Sequence, residues 1–172
     1  MSPQDAEKHQ KIQQNVSGYK VYIYKSLSST NKIAKEVAEK TDEEKIVILA
    51  ETQTMGRGRL GRQWISPKGG LWLSVILRPQ TSPKEALRLT FIMSSAVAKT
   101  IKTLFNLETS VKWPNDVLVN GKKISGILTE INTRESLVTF VIVGVGINVN
   151  IDLESFPSSL RATVTSLKHE LG

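Results

Sequence analysis

The chain has 172 residues, of which 40% are hydrophobic and 23% are charged, a mixture typical of one globular domain. It contains no cysteine, which excludes disulfides, thiolate nucleophiles and cysteine-ligated metals. No apolar run approaches the roughly 18 residues of a membrane span, and the polar N-terminus lacks a signal-peptide core. We therefore expect a cytoplasmic protein with no membrane partner, whose formal charge of +7 favours anionic partners.

The first part of the chain alternates between strand and helix patterns. Residues 1–17 form a polar lead-in in which a short helix is tolerated, and the main domain follows at residues 18–172. Aromatic and β-branched residues predict a strand at 19–24, after which N-cap candidates precede a helix. The helix carries its apolar face on Ile33, Ala34, Val37 and Ala38. The apolar run at 46–50 predicts a strand buried on both faces.

The remaining elements include the longest helix and most of the strands. A strand at 71–77 precedes a capping box at Ser82 to Glu85, with Pro83 at the first helical position. The helix that begins there is expected to end near Phe105 and to turn seven side chains towards the core: Leu89, Ile92, Met93, Ala96, Val97, Ile101 and Leu104. Asn120-Gly121 predicts a type I′ hairpin between a strand at 117–119 and one beginning at Lys122.

Strands are expected at 126–131 and 137–149, around a polar turn, and at most one short helical piece is expected after Asp152. The resulting order, β-α-β-β-α-β-β-β, predicts an α/β (α+β) fold in which a mixed β-sheet is packed with helices.

The segment from Gly56 to Arg62 contains three glycines and three arginines in seven residues. Glycines allow close approach of a ligand to the backbone, and arginines donate forked hydrogen bonds to carboxylates and phosphates, so we expect a loop that orders around an anion. Its G-x-G-x-x-G spacing is not a dinucleotide fingerprint, which requires a strand directly before and a helix directly after. Kinase and Walker A motifs are missing too, so any ATP is bound by another scheme.

A second polar cluster follows the long helix. Lys112, Asn115 and Asp116 combine a cation, an amide and a carboxylate, and Asp116 is a candidate Mg²⁺ ligand, with an ordinary surface turn as the alternative. Lys123 by itself would be a charge on an edge strand. Gly144 and Gly146 interrupt an apolar strand, which often marks the close approach of a ligand or another backbone.

Five motifs stand in the order seen in biotin protein ligases, over roughly residues 20–170. They are Ser29-Thr30-Asn31, Gly56 to Arg62 with Trp64-x-Ser66-Pro67, Lys112 to Asp116, Lys123-x-x-Gly126 and Gly144-x-Gly146-x-Asn148. The chain resembles the catalytic domain of that family, which implies the biotin/lipoate ligase fold, similar to class II aminoacyl-tRNA synthetases.

The resemblance also implies the residue roles. Biotin would be bound by Ser29, Thr30, Asn31, Gln53, Gly56, Arg57, Gly58, Arg59, Lys123 and Gly126. ATP would be bound by Arg59, Arg62, Trp64, Lys112, Asn115 and Asn148, and Mg²⁺ by Asp116. Lys123 and Arg59 would be the catalytic residues, and the arginine-glycine loop would close over the ligand.

The implied reaction joins biotin to ATP and then to a protein. The biotin carboxylate would attack the α-phosphorus of ATP to give biotinyl-5′-AMP and pyrophosphate. A lysine of a biotin carboxyl carrier domain, after losing a proton, would then attack the mixed anhydride, which forms the amide and releases AMP. No enzyme nucleophile is required, which agrees with the lack of cysteine. Bringing two anions together requires arginine, lysine and Mg²⁺.

Departures from the family pattern leave alternatives open. Residues 1–17 are too few for the DNA-binding domain of bifunctional members, so we expect no DNA partner. Family members continue past Leu171 into a module that helps to bind ATP and the acceptor. The chain could therefore be a biotin-binding core that needs a separate module for activity. It could be a fragment, one half of a split system or a natural minimal form. The resemblance also implies a homodimer formed through the sheet.

The sequence fits two other protein classes less well. A lipoate protein ligase is disfavoured because the loop from Gly56 to Arg62 does not resemble the lipoate enzymes' Arg-Arg-x-Ser-Gly-Gly-Gly motif. A nucleic-acid-binding protein is disfavoured because only 6% of the residues are aromatic and few of them could stack on bases near the loop.

Overall fold

The computed structural model describes residues 11–172. Within this part of the chain, eight strands form one sheet: β1 (Lys11–Val16), β2 (Tyr19–Leu27), β3 (Ile46–Gln53), β4 (Leu71–Leu77), β5 (Thr109–Lys112), β6 (Asp116–Val119), β7 (Lys122–Arg134) and β8 (Leu137–Ile147). Their spatial order is β1-β2-β3-β4-β8-β7-β6-β5. Only the β2–β3 pair is parallel, among the strands described, so the predicted mixed sheet is confirmed.

Five helices accompany the sheet over the same residues: α1 (Thr30–Ala38), α2 (Pro83–Ala86), α3 (Arg88–Phe105), α4 (Ser158–Arg161) and α5 (Leu167–Leu171). None of the helices in residues 11–172 is both long and apolar enough to cross a membrane. Two 3₁₀ turns lie at Arg59–Gly61 and Leu153–Ser155.

The two main helices pack on opposite faces of the sheet, because successive side chains of a strand point in opposite directions. On β8, Phe140 and Ile142 lie in the cluster that contains α1, whereas Val141 and Val143 lie in the cluster that contains α3. The predicted apolar face of α1 is confirmed, since Ile33, Ala34 and Ala38 are buried and Val37 packs against the same cluster.

Three expectations for the strands were wrong. Residues 11–16 form strand β1, paired with β2, rather than part of a helix; residues 1–10 of the expected lead-in lie outside the described residues. The predicted order of elements omits strand β5. Strand β3 is buried on one face only, because α1 covers Ile46 and Ile48 while Val47 and Leu49 on the other face stay partly exposed.

The long helix also departs from the prediction. The capping box forms, with Ser82 accepting from the Glu85 backbone N–H, but the helix is interrupted after four residues and restarts as α3. Ile92 and Leu104 are 59% and 68% exposed and Ala96 is exposed.

In their place α3 buries two small polar residues, Thr90 and Ser94. Each is hydrogen-bonded, Thr90 to the Thr129 hydroxyl and Ser94 to the Thr90 carbonyl, which removes the penalty of burying a hydroxyl. The tail holds two short helices, α4 and α5, where at most one helical piece was expected.

Candidate functional site

A cleft opens on the α1 side of the sheet, where the N-terminus of α1 meets β3, β7 and β8. Its lining combines the start of α1, the arginine-glycine loop and the glycine-bearing stretches of β7 and β8: Ser29, Thr30, Asn31, Gln53, Arg57, Gly58, Arg59, Trp64, Leu73, Asn115, Lys123, Gly126, Ile127, Leu128, Gly144, Val145 and Gly146. A concave lining of apolar side chains and glycines with a few convergent polar groups is typical of a small-molecule site.

Buried and partly buried polar side chains form a connected network at the inner end of the cleft. Gln53 Oε1 accepts from the Thr30 backbone N–H at 2.7 Å, and Gln53 Nε2 donates to Ser66 Oγ at 2.8 Å. Ser74, which is fully buried, lies 2.8 Å from Thr30 Oγ1 and 2.6 Å from Asn31 Oδ1. These mutual bonds hold the side chains in fixed positions before any ligand arrives.

The Asn31 amide lies flat against β8, which requires a glycine at position 144. A Cβ on Gly144 would come within 2.1 Å of Asn31 Oδ1. On its other side the amide donates to Glu130 Oε2 at 2.7 Å and to the Leu128 carbonyl at 3.3 Å. The second oxygen of Glu130 accepts from Arg57 Nη2 at 3.0 Å, so one carboxylate joins the inner network to the arginine-glycine loop.

Trp64 packs across two glycines that pair between β7 and β8. Gly126 and Gly146 are cross-strand partners, and an added Cβ would meet the Trp64 ring at 2.9 Å from Gly126 and at 2.4 Å from Gly146. Lys123 Nζ lies 5.0 Å from the centroid of the indole, within the range of a cation–π contact. The indole is therefore held between the sheet and the Lys123 ammonium.

A second, larger cavity adjoins the cleft on the far side of Trp64 and Lys123. Its lining includes the cations Arg59, Arg62, Lys112 and Lys123 and one carboxylate, Asp116. This excess of positive charge in a concave site favours a polyanionic ligand.

Hydrogen bonds connect several of these charges in a row. Arg59 Nη1 donates to Asn115 Oδ1 at 2.6 Å, and Asn115 Nδ2 donates to Asp116 Oδ1 at 2.9 Å. The same Asp116 oxygen lies 2.7 Å from Lys123 Nζ. The Lys123 ammonium is therefore positioned at the junction of the two cavities by a partner carboxylate and by the indole of Trp64.

The tail of the chain fixes the backbone at Lys123. Its N–H donates to the Thr163 carbonyl at 2.8 Å, and its carbonyl accepts from the Thr165 N–H at 2.9 Å. Asn148 Nδ2 donates to the Thr165 carbonyl at 2.9 Å. Asn148 Oδ1 is buried without a hydrogen-bond partner among residues 11–172, which leaves an acceptor available to a ligand donor.

Asp116 is the only residue predicted to bind a metal. In residues 11–172 no three Asp, Glu or His side chains are close enough together to hold an ion, and one oxygen of Asp116 already contacts Lys123 and Asn115. These donors fit Mg²⁺ only as an ion that brings most of its own ligands, as phosphate oxygens and water.

Most of the predicted site residues come together, in two groups that share a border. Those in the cleft are Ser29, Thr30, Asn31, Gln53, Arg57, Gly58, Arg59, Trp64, Asn115, Lys123 and Gly126. Those that line only the second cavity are Arg62, Lys112, Asp116 and Asn148. Gly56 is the exception: it lines neither cavity, and its missing Cβ, which would lie 2.2 Å from the Trp64 carbonyl, lets the loop backbone pack on itself.

Sequence reasoning missed Glu130, Ser74 and the tail residues around Thr163. Alternation along β7 could have placed Glu130 on the face of Gly126 and Leu128, but its carboxylate looked like an ordinary charge. Ser74 lies in an apolar strand and carries no motif. The contacts of Thr163 depend on a tail that was expected to be mostly irregular.

Comparison with known proteins gives the same picture. The model of the biotin/lipoate A/B protein ligase family matches residues 23–148. The bifunctional ligase/repressor BirA of Bacillus subtilis is 41% identical over 162 residues, which is 94% of this chain and 50% of that protein. A biotin–[acetyl-CoA-carboxylase] ligase of Paracoccus denitrificans is 38% identical over 104 residues, covering 59% of this chain and 43% of that protein.

Among solved structures, the biotin protein ligase of Aquifex aeolicus in complex with biotin and ATP superposes with a TM-score of 0.69 at 34% identity. The match covers 88% of this chain and 61% of that structure, so the chain spans about half the length of BirA and about three fifths of the Aquifex aeolicus structure. Since the family model covers most of the chain and the fold agrees, the chain belongs to the biotin/lipoate A/B protein ligase family.

Proposed function

We propose that this chain activates biotin with MgATP to biotinyl-5′-AMP and transfers the biotin to a lysine of a biotin carboxyl carrier domain. The observation that carries the proposal is the position of Lys123, whose ammonium lies at the junction of the polar cleft and the cationic cavity. A carboxylate from the cleft and an α-phosphate from the cavity would meet at this one cation, which would stabilise the charge that develops as they react.

The two cavities divide the ligand between them. The inner network of Thr30, Asn31 and Gln53 suits the polar ring of biotin, and the glycines of β7 and β8 leave room for the side chains of Trp64 and Asn31 that line the cleft. In the second cavity Arg59, Arg62 and Lys112 would bind the phosphates. Mg²⁺ would enter with ATP, with Asp116 as one ligand, and would supply charge neutralisation at the phosphates.

The acceptor follows from the chemistry of a mixed anhydride. Biotinyl-5′-AMP reacts with an unprotonated amine, so the partner must present a lysine at the open side of the cleft. A small acidic carrier domain would complement the charge of +7. A reaction that consumes ATP also suits a cytoplasmic location.

The proposal is tested by incubating the chain with MgATP, with and without biotin, in the absence of an acceptor. We expect biotin-dependent pyrophosphate release and a mass corresponding to bound biotinyl-5′-AMP. Biotin binding with no pyrophosphate release would contradict adenylation by this chain and favour a binding core that needs another module.

A lipoate control separates the two branches of the family. With equal concentrations of biotin and lipoate, we expect only the biotinyl adenylate, because lipoate has no ring N–H groups or ring carbonyl to pair with the inner network. Preferential formation of lipoyl-5′-AMP would contradict the assignment.

A further inference from the structure

We propose that Leu60 and Trp113, two exposed apolar side chains beside the entrance to the second cavity, are the anchors on which the acidic carrier domain docks to receive biotin. The inference rests on the proposed function and deepens it, because it names the surface that the acceptor contacts in the transfer step. Leu60 and Trp113 are called the rim residues below.

Leu60 lies at the tip of the arginine-glycine loop and lines the second cavity. The Gly58 N–H donates to the Arg62 carbonyl at 2.7 Å, which closes the loop into a narrow turn around this residue. Leu60 is nevertheless 88% exposed, and its φ of +56° lies in the left-handed region that disfavours a leucine. Neither burial nor backbone preference explains a leucine here, and such backbone outliers are found mostly at functional sites.

Trp113 is the second large apolar side chain at this entrance, and it is 78% exposed. It lies in the chain between Lys112, which lines the second cavity, and Asn115, which lines both cavities. Arg59 Nη1 donates to Asn115 Oδ1 at 2.6 Å, and this bond holds the loop tip beside the segment that carries Trp113. Tryptophan and arginine are enriched among the residues that dominate the binding energy of protein interfaces, so this surface suits a protein partner.

The charges around the rim residues favour an acidic partner. Segments 54–63 and 110–115 contain no carboxylate and four cations, which are Arg57, Arg59, Arg62 and Lys112. All four side chains belong to exposed residues, and within residues 11–172 only Arg57 is in an ion pair, with Glu130. Negative charge on the partner would therefore both speed its association and favour the correct orientation.

The chemistry of transfer selects the carrier domain as this partner. The unprotonated amine of the acceptor lysine attacks the anhydride carbonyl, an amide forms, the bond to AMP breaks and the amine loses a proton to solvent. A lysine side chain is short compared with a domain, so the carrier surface around that lysine must lie against the entrance. A second copy of this chain, with its charge of +7, would instead be repelled by the same cations.

The test separates transfer from activation by supplying synthetic biotinyl-5′-AMP to the full chain, with the chain in excess over the adenylate. Two acceptors are compared: the acidic carrier domain of an acetyl-CoA carboxylase, and hydroxylamine, which is too small to need a docking surface. The variants are Leu60→Ser and Trp113→Ser. The matched control is Leu104→Ser, because Leu104 is 68% exposed but lies on α3, across the sheet from the cleft.

We expect Trp113→Ser to lower the second-order rate constant of transfer to the carrier about tenfold, and Leu60→Ser about threefold. The rate with hydroxylamine should change less than about twofold, and Leu104→Ser should affect neither acceptor. Trp113→Phe, which keeps an aromatic anchor, should recover most of the loss. Higher ionic strength should slow transfer to the carrier but not to hydroxylamine. Circular dichroism on each variant verifies the fold.

Three results would overturn the inference. One is an equal loss with both acceptors, since loss of a docking surface spares the small nucleophile. Another is an unchanged rate of transfer to the carrier in both serine variants. The third is a changed sedimentation coefficient with unchanged transfer, which would assign the surface to a second copy. Because the adenylate is supplied, a chain unable to make biotinyl-5′-AMP from biotin and MgATP would contradict the proposed activation without affecting this test.

Discussion

Because Trp64 packs on Gly146, we expect the effect of Gly146→Ala on stability to depend on the residue at position 64. A Cβ added at position 146 would lie 2.4 Å from Trp64 Nε1 and 2.7 Å from Cε2. Ordinary contact begins at about 3.4 Å, so the indole must move by about 1 Å. It has little room, because Lys123 lies over one side of it and the ring of Trp72 stands edge-on at 6.4 Å.

Overpacking of this kind typically costs about 1–3 kcal/mol, and we expect Gly146→Ala to destabilise the chain by about 2 kcal/mol. In a Trp64→Ala background the obstacle is gone. Alanine is then the better strand residue by about 0.5–1 kcal/mol, because glycine loses more backbone entropy on folding. The same substitution should be neutral or stabilising there.

The assay is urea denaturation followed by far-UV circular dichroism, since tryptophan fluorescence changes with the mutation itself. Gly144→Ala is the matched control: its Cβ would meet Asn31 Oδ1 at 2.1 Å, so its cost should be equal in both backgrounds. A coupling free energy below about 0.5 kcal/mol between positions 146 and 64, the limit for independent sites, would refute the reasoning.

Three further predictions concern single residues. Lys123→Ala should lower the rate of biotinyl-5′-AMP formation by about 10²-fold or more, the usual effect of losing one preorganised donor. Lys122 lines neither cavity, so the control variant Lys122→Ala should change this rate little. A rate for Lys123→Ala within a factor of a few of wild type would contradict this role. Gly121 has a φ of +77°, so Gly121→Ala should lower the free energy of unfolding by about 1–2 kcal/mol and Gly121→Asn should lower it less. Urea denaturation measures both changes, and equal losses would argue against a turn that requires positive φ. Ser82→Ala should cost about 1 kcal/mol through loss of the N-cap of α2, and an unchanged unfolding midpoint would mean that the exposed cap contributes nothing.

The parts of the fold that local chemistry determines could be predicted from the sequence. Asn120-Gly121 adopts positive φ at both residues, as a type I′ turn requires. The same signal was present at Ser17-Gly18, where φ is +49° and +79°, and it could have revealed the β1–β2 hairpin. It was overlooked because Lys11–Val16 is polar and does not resemble a buried strand.

The errors arise where tertiary contacts decide. Periodicity places Ile92 and Leu104 on an apolar stripe of the long helix, but the position of the sheet selects which part of the stripe is covered. Thr90 and Ser94 are buried instead because β7 and the helix backbone offer them hydrogen-bond partners. No pattern within the helix specifies those partners.

For the site, motifs predicted which residues meet but not what each one touches. The resemblance implies that Gly126 binds biotin, and the structure adds that its missing Cβ makes room for the ring of Trp64 and for Lys123 Cε, at 2.9 and 3.2 Å. The pairing of Gly126 with Gly146 across two strands explains why both positions lack a side chain, since one flat ring spans both. That contact joins residues far apart in the chain, and only the register of β7 and β8 creates it.

The same contact links the loop to the chemistry of the site. Trp64 is separated from the arginine-glycine loop by Gln63 alone, and its ring packs under the Lys123 ammonium. Arg59, within the loop, is connected to Lys123 through Asn115 and Asp116. Because Arg59 within the loop and Trp64 just after it are both connected to Lys123, the loop cannot change position without changing the surroundings of that cation. Ordering of the loop around an anion would therefore act on Lys123 directly, with no need for a longer path through the sheet.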